Sequence, residues 1–158
     1  MRIAVGQKIP SVKIKQATPE GPRDVDPAEL FAGKKVIMFS LPGAFTSTCS
    51  TKHLPGYLAR YDELRAKGVD LIACLSVNDQ HVMQAWAAAQ GVGNKIAMLA
   101  DGAATFTRAL GIEREISDMG TRAHRGVFVI EDGVVKSIEM DPPGTFEASA
   151  AESCLLRL

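Results

Sequence analysis

The run Lys35-Val36-Ile37-Met38-Phe39-Ser40-Leu41, and the change of chemistry that follows it, restricts the fold more than any other feature of this chain. A short, almost continuously apolar stretch has no polar face to turn towards water. It predicts a strand buried on both faces of a sheet. Pro42-Gly43 breaks the run, and Thr46, Ser47 and Thr48 then offer hydroxyls suited to cap a helix just before Cys49. A break is expected at Pro55-Gly56, then a helical stripe of Leu58, Tyr61 and Leu64 that stops at Gly68.

The same alternation continues along the chain. Val69 to Val77 reads as a second buried strand, carrying Cys74, and Asn78-Asp79 as the cap of a helix with Val82, Met83 and Trp86 on its apolar face. Ile96 to Leu99 follows as a third strand and Ala103 to Leu110 as a short helix. Glu131-Asp132-Gly133 reads as the turn of a hairpin between Gly126–Ile130 and Val134–Met140. Residues 16 to 28 are a surface loop or hairpin region ending at the helix start Pro27-Ala28-Glu29-Leu30, and residues 146 to 156 a C-terminal helix. Strands alternating with helices, then a hairpin, imply an α/β chain with a central mixed β-sheet flanked by helices, the order of a thioredoxin-like fold. With no repeat, low-complexity tract or linker, residues 1–158 are expected to form one domain.

Charge excludes several function classes. Lys plus Arg and Asp plus Glu are each 18, so there is no basic excess to hold phosphate backbones or anionic membrane. No apolar run approaches the roughly 20 residues that span a bilayer. The start Met1-Arg2-Ile3-Ala4-Val5-Gly6-Gln7-Lys8 lacks a signal-peptide core, so a cytoplasmic protein is expected. Zero net charge does little to oppose self-association, which leaves a homo-oligomer open.

Three cysteines, Cys49, Cys74 and Cys154, do not make a secreted disulfide framework, and none has Cys-x-x-Cys spacing. The histidines His53, His81 and His124 have no zinc spacing, and no phosphate loop is present. Cys49 stands out because a strand followed by a helix start places it near unpaired backbone N–H groups and the positive end of a helix dipole. Such a site favours thiolate, the nucleophilic form. Thr46 is placed to reach the sulfur or a bound oxygen, and Pro42 to keep water and a competing N–H away. The competing reading is a buried cysteine that only packs. His53 follows Cys49 at helical spacing, as a Cys–His dyad would.

Pro42-x-x-x-Thr46-x-x-Cys49 resembles the active-site signature of the peroxiredoxins. The longer run through Lys52-His53-Leu54-Pro55-Gly56-Tyr57 is similar to their type II branch, often grouped with the fifth class. The similarity continues through Gly68-Val69-Asp70, Ser76-Val77-Asn78-Asp79, Trp86, Leu99-Ala100-Asp101-Gly102 and Glu131-Asp132-Gly133-Val134-Val135-Lys136, nearly the whole chain. The resemblance implies a homodimeric thiol peroxidase that reduces hydrogen peroxide and alkyl hydroperoxides through a Cys49 sulfenic acid, with no metal, flavin or haem. It implies an arginine from a distant strand, which by position is Arg125; Arg122 competes and is given a surface or dimer role. It makes His53 a pocket-rim or structural residue. Where the family often has an aromatic after the arginine, this chain has Gly126.

The recycling thiol is open. Cys74 lies where some type II members carry a cysteine considered for a resolving role, yet its apolar neighbours read as core. The late cysteine of intramolecular-disulfide members is absent from Gly144-Thr145-Phe146-Glu147-Ala148-Ser149. Cys154 reads as a surface or packed thiol. An external thiol, glutathione with glutaredoxin or thioredoxin, is therefore expected to reduce Cys49. The alternative is a peroxide-sensing redox relay protein of the same fold. Leu41, Phe45, Phe106 and Met119 read either as an apolar collar around the site or as ordinary core.

Overall fold

The computed structural model describes residues 1–158. Nine strands and six helices follow one another as β1 (Ile14–Thr18), β2 (Gly21–Val25), α1 (Pro27–Phe31), β3 (Lys35–Ser40), a wide π-helical turn (Cys49–His53), α2 (Leu54–Ala59), α3 (Tyr61–Ala66), β4 (Leu71–Ser76), α4 (Gln80–Gln90), β5 (Ala97–Ala100), α5 (Thr105–Leu110), β6 (Glu113–Ile116), β7 (Gly120–Ala123), β8 (Gly126–Glu131), β9 (Val134–Met140) and α6 (Ala151–Leu156). Seven strands form one sheet in the order β2-β1-β5-β4-β3-β8-β9. The β3, β4 and β5 pairings are parallel and the outer ones antiparallel, so the sheet is mixed, as the element order predicts.

The apolar run of β3 is explained by what covers it. Ile37 and Phe39 point into a core layer with Cys49, Leu54, Tyr57, Leu64, Met83 and Trp86, under the Cys49 turn and α2, α3, α4 and α6. Val36 and Met38 point to the opposite layer, with Phe31, Phe106 and Leu110 from α1 and α5. Period-two alternation is present in space but invisible in the sequence, because both faces are apolar.

Side chains cap two helices, α1 and α4, whereas the hydroxyls expected to cap the Cys49 turn do not: Thr48 stands at its N-cap without a capping bond and Thr46 donates back to Gly43 O. Asp26 accepts from Ala28 N at 2.9 Å and Pro27 opens α1. Asp79 alone caps α4, accepting from His81 N and Val82 N at 2.9 Å. Asn78 instead accepts from Ala44 N at 2.9 Å, tying the Cys49 loop to the end of β4.

Two sequence expectations change, one of two alternatives is settled and one element is added. The break at Pro55-Gly56 does not occur, since α2 runs through both residues and the chain breaks at Arg60 instead. Leu54 N bonds back to Cys49 O, a five-residue step, and this widened turn makes room for the ring of Pro55, which has no N–H to give. Residues 16 to 28 hold most of the β1–β2 hairpin, and α1 starts within them. The β6–β7 hairpin, rich in charge and without apolar alternation, was not expected. Finally, the C-terminal helix starts at Ala151 rather than 146, because Asp141 organises residues 147 to 149 as a turn. No helix is long and apolar enough to cross a membrane.

Candidate active site

Ser50 N donates to Thr46 O at 2.9 Å, so the helical turn begins beside Thr46 and Cys49 sits in its first turn. The register of β3 against β8 supplies the other half of the site. Ser40 pairs with Gly126, so the residue before Gly126 comes level with the end of β3, where the chain turns towards Cys49. That residue is Arg125. Its Nη2 donates to Cys49 Sγ at 3.2 Å, across 76 positions of sequence. A guanidinium in contact with sulfur is placed to meet charge that develops in a reaction at that atom.

The other arm of Arg125 is also held. Its Nη1 lies 2.8 Å from His53 Nδ1. Because arginine only donates, Nδ1 must accept, and Nε2–H then donates to Ser149 O at 3.2 Å. His53 is therefore the neutral Nε2–H tautomer. Burial, then the Arg125 charge, push its pKa down to about 3, against the opposing effect of the Ser149 bond. It has no exposed surface and lies against Phe39, Tyr57 and Phe146. Of the two expected roles, pocket rim or structural, the structure supports the structural one: this histidine is at the centre of the packing, and a dyad in which it removes a proton from Cys49 is not what the bonds describe.

Behind His53 the polar chain continues. Tyr57 Oη donates to the same Ser149 carbonyl at 2.6 Å. Asp141, almost completely buried, accepts from Glu147 N at 3.1 Å, Ala148 N at 2.7 Å and Ser149 N at 3.2 Å, and from the Ser149 hydroxyl. Asp141 N in turn donates to Arg125 O at 2.9 Å. Phe146 covers the guanidinium, its ring centre 5.7 Å from Arg125 Cζ. The parts of this arrangement contributed by Asp141, Phe146 and Ser149 were missed in the sequence. The only signal for it was the turn chemistry of Asp141-Pro142-Pro143-Gly144.

The remaining expected residues fall as follows. Thr46 Oγ1 donates to Gly43 O at 2.7 Å, which leaves the oxygen's lone pairs free to accept. Pro42 lines a cleft of about 430 Å³ together with Thr48, Lys52, Arg114, Arg125 and Phe146. Cys49 itself is 0% exposed and, like Thr46, is not on the cleft wall; Arg125, which is, contacts its sulfur. Arg122 is not a plain surface residue: half-buried, it donates to Val77 O at 3.1 Å and Met119 O at 3.2 Å and backs the turn at Gly43, where any side chain would meet its guanidinium. The collar does not form, since Phe106 is buried in the layer on the other side of the sheet.

Cys74 and Cys154 are free thiols with no exposed surface. Burial pushes the Cys74 thiol well above its ordinary value, and the nearby Cys49 adds to this. Burial also raises Cys154, which packs beside Tyr57. Gly126 is accounted for by its neighbour: a Cβ there would stand 2.3 Å from Met140 Sδ, so Met140 occupies the space that a larger residue would fill.

Comparison with known proteins shows the family of the chain. The redoxin family profile matches residues 4–155. Peroxiredoxin-2E-2, chloroplastic, of Oryza sativa subsp. japonica is 46% identical over 99% of this chain and 72% of its own length. Peroxiredoxin-2E, chloroplastic, of Arabidopsis thaliana is 42% identical over 99% of this chain and 69% of its own. Among solved structures, reduced Prx3 in complex with H2O2 from Vibrio vulnificus superposes with a TM-score of 0.93 at 49% identity, covering 98% of both chains.

Proposed function

The chain belongs to the redoxin family as a type II peroxiredoxin, a thiol-dependent peroxidase, and from that premise we propose that Cys49 is its peroxidatic nucleophile, with Arg125, Thr46 and Pro42 as the residues that hold the peroxide. The contact between Arg125 Nη2 and Cys49 Sγ, 3.2 Å, carries this reading.

The Cys49 thiolate attacks one oxygen of the peroxide in line with the O–O bond. A sulfur–oxygen bond forms, the O–O bond breaks, and its electron pair leaves with the far oxygen as hydroxide or alkoxide, which takes up a proton. Sulfur is oxidised by two electrons to sulfenic acid and the peroxide is reduced by two. Arg125 meets charge as it shifts from sulfur to the leaving oxygen, which is stabilisation specific to the transition state. Thr46, its own proton directed to Gly43 O, accepts from the peroxide O–H. Pro42 closes the wall and offers no donor.

Return to thiol needs a second thiol. Burial of both Cys74 and Cys154 favours one from outside the chain, glutathione with glutaredoxin or thioredoxin. Hydrogen peroxide and alkyl hydroperoxides are the proposed substrates and a homodimer the proposed assembly. Peroxide consumption by wild type and Cys49→Ser, with each reductant in turn, tests the cycle. Turnover surviving in Cys49→Ser would overturn it, and light scattering with sedimentation would decide the assembly.

A further inference from the structure

Hydrogen peroxide is small and neutral, and the cleft at Arg125, the residue that contacts the Cys49 sulfur, is neither. It holds about 430 Å³, whereas a water-sized molecule takes about 30 Å³. Its wall gathers three cations from separate elements: Lys52 from the Cys49 turn, Arg114 from β6 and Arg125 at the start of β8. Arg125 is engaged by Cys49 and His53. Asp141, the single acid on the wall, has its carboxylate filled by the N–H groups of residues 147 to 149 and the Ser149 hydroxyl. Lys52 and Arg114 belong to none of the chain's ion pairs, which join Lys13 and Lys15 to Asp24 and Arg60 to Glu63 and Glu152. Two cations thus face one cleft without a counter-ion. The reaction at sulfur does not require them, and a cavity lined by one sign of charge concentrates ligands of the other.

We propose that Lys52 and Arg114 form a carboxylate-binding subsite at the mouth of the Cys49 cleft, occupied by a small organic molecule whose other end reacts at the sulfur. The subsite rests on the peroxidase reading of this cleft and names the class of molecule it takes. Arg114 supplies a planar fork matched to a carboxylate and Lys52 a mobile point charge. Two kinds of molecule share this chemistry: a hydroperoxide bearing a carboxylate, and a thiol bearing one.

The test compares molecules that differ in that group alone. In the peroxide arm, cumene hydroperoxide and its para-carboxylate compete to oxidise Cys49. In the thiol arm, glutathione and its diethyl ester reduce the sulfenic acid. The subsite requires that wild type favour the carboxylate in one arm by about tenfold or more in kcat/KM at low salt. Added salt, and Lys52→Gln with Arg114→Gln, must remove that preference. The arm in which it occurs identifies the source. Equal rates within both pairs, or a preference that survives the double substitution, overturn the subsite while leaving the peroxidase intact. Calorimetry on Cys49→Ser with S-methylglutathione and with the para-carboxylate of cumyl alcohol reads the subsite without turnover. Heat lost on the double substitution supports it even if peroxidase activity is absent, and no heat from either molecule overturns it.

Discussion

His53 Nδ1 accepts from Arg125 Nη1 at 2.8 Å, while Arg125 Nη2 reaches Cys49 Sγ at 3.2 Å, so one guanidinium is held from both sides. A fork that donates in two directions at once has little freedom left, and the histidine gives it one of its anchors. Protonation of His53 would place two cations in contact inside the core. The folded chain resists this, with a His53 pKa near 3 against the ordinary 6.5. The unfolded chain therefore binds this proton more tightly. The stability that follows is complete above about pH 6.5 and is lost as pH falls towards 3, roughly 5 kcal/mol across that window. Denaturant unfolding between pH 7 and pH 4 is expected to fall more steeply for wild type than for His53→Gln, which keeps an acceptor without the titration. Parallel curves would remove His53 from the acid dependence.

Arg125→Lys is expected to slow sulfenic acid formation by about a hundredfold or more, read by stopped-flow oxidation of Cys49. A lysine carries the charge but has no planar fork to meet Cys49 and His53 together. A change under threefold would show that charge alone suffices.

Cys74→Ala and Cys154→Ala are expected to keep turnover with an external thiol, at a cost of about 1 kcal/mol each in stability from the small voids left. Peroxide-treated wild type should contain no Cys49–Cys74 bond by mass spectrometry of its peptides. A dominant bond of that kind within one chain would return Cys74 to a resolving role.

Gly126→Ala is expected to destabilise the protein by about 1–3 kcal/mol, since the added carbon meets Met140 Sδ at 2.3 Å and Glu139 O at 3.0 Å. Gly126→Ala combined with Met140→Ala should recover part of the loss. Strictly additive effects in thermal unfolding would contradict the contact.

The legible parts of the site were those written in neighbouring residues. Cys49, Thr46 and Pro42 share one short segment, and Arg125 was found because a strand begins right after it. His53 stands out for its spacing from Cys49, and the resemblance leaves it either at the rim or structural, since nothing in its neighbours reveals that Phe146 and Ser149 close over it. Phe106 was considered for the wrong layer for the same kind of reason: an apolar residue reports burial, and which face of the sheet buries it depends on how α5 packs.

By itself the sequence determined strands β3, β4, β5, β8 and β9, the Asp79 cap and the segment that carries Cys49, because apolar runs, an Asp cap and the Pro42-Gly43 break act through groups a few residues apart. It also determined the family, through a signature spread along most of the chain. Only the tertiary structure decided that Cys49, His53, Arg125 and Ser149 form one connected set. Their contacts span 72 to 96 positions and exist because β3 and β8 pair in one register and Asp141 holds the segment after β9 in place. Local preference carries no record of that pairing, which is selected by the packing of both faces of the sheet at once.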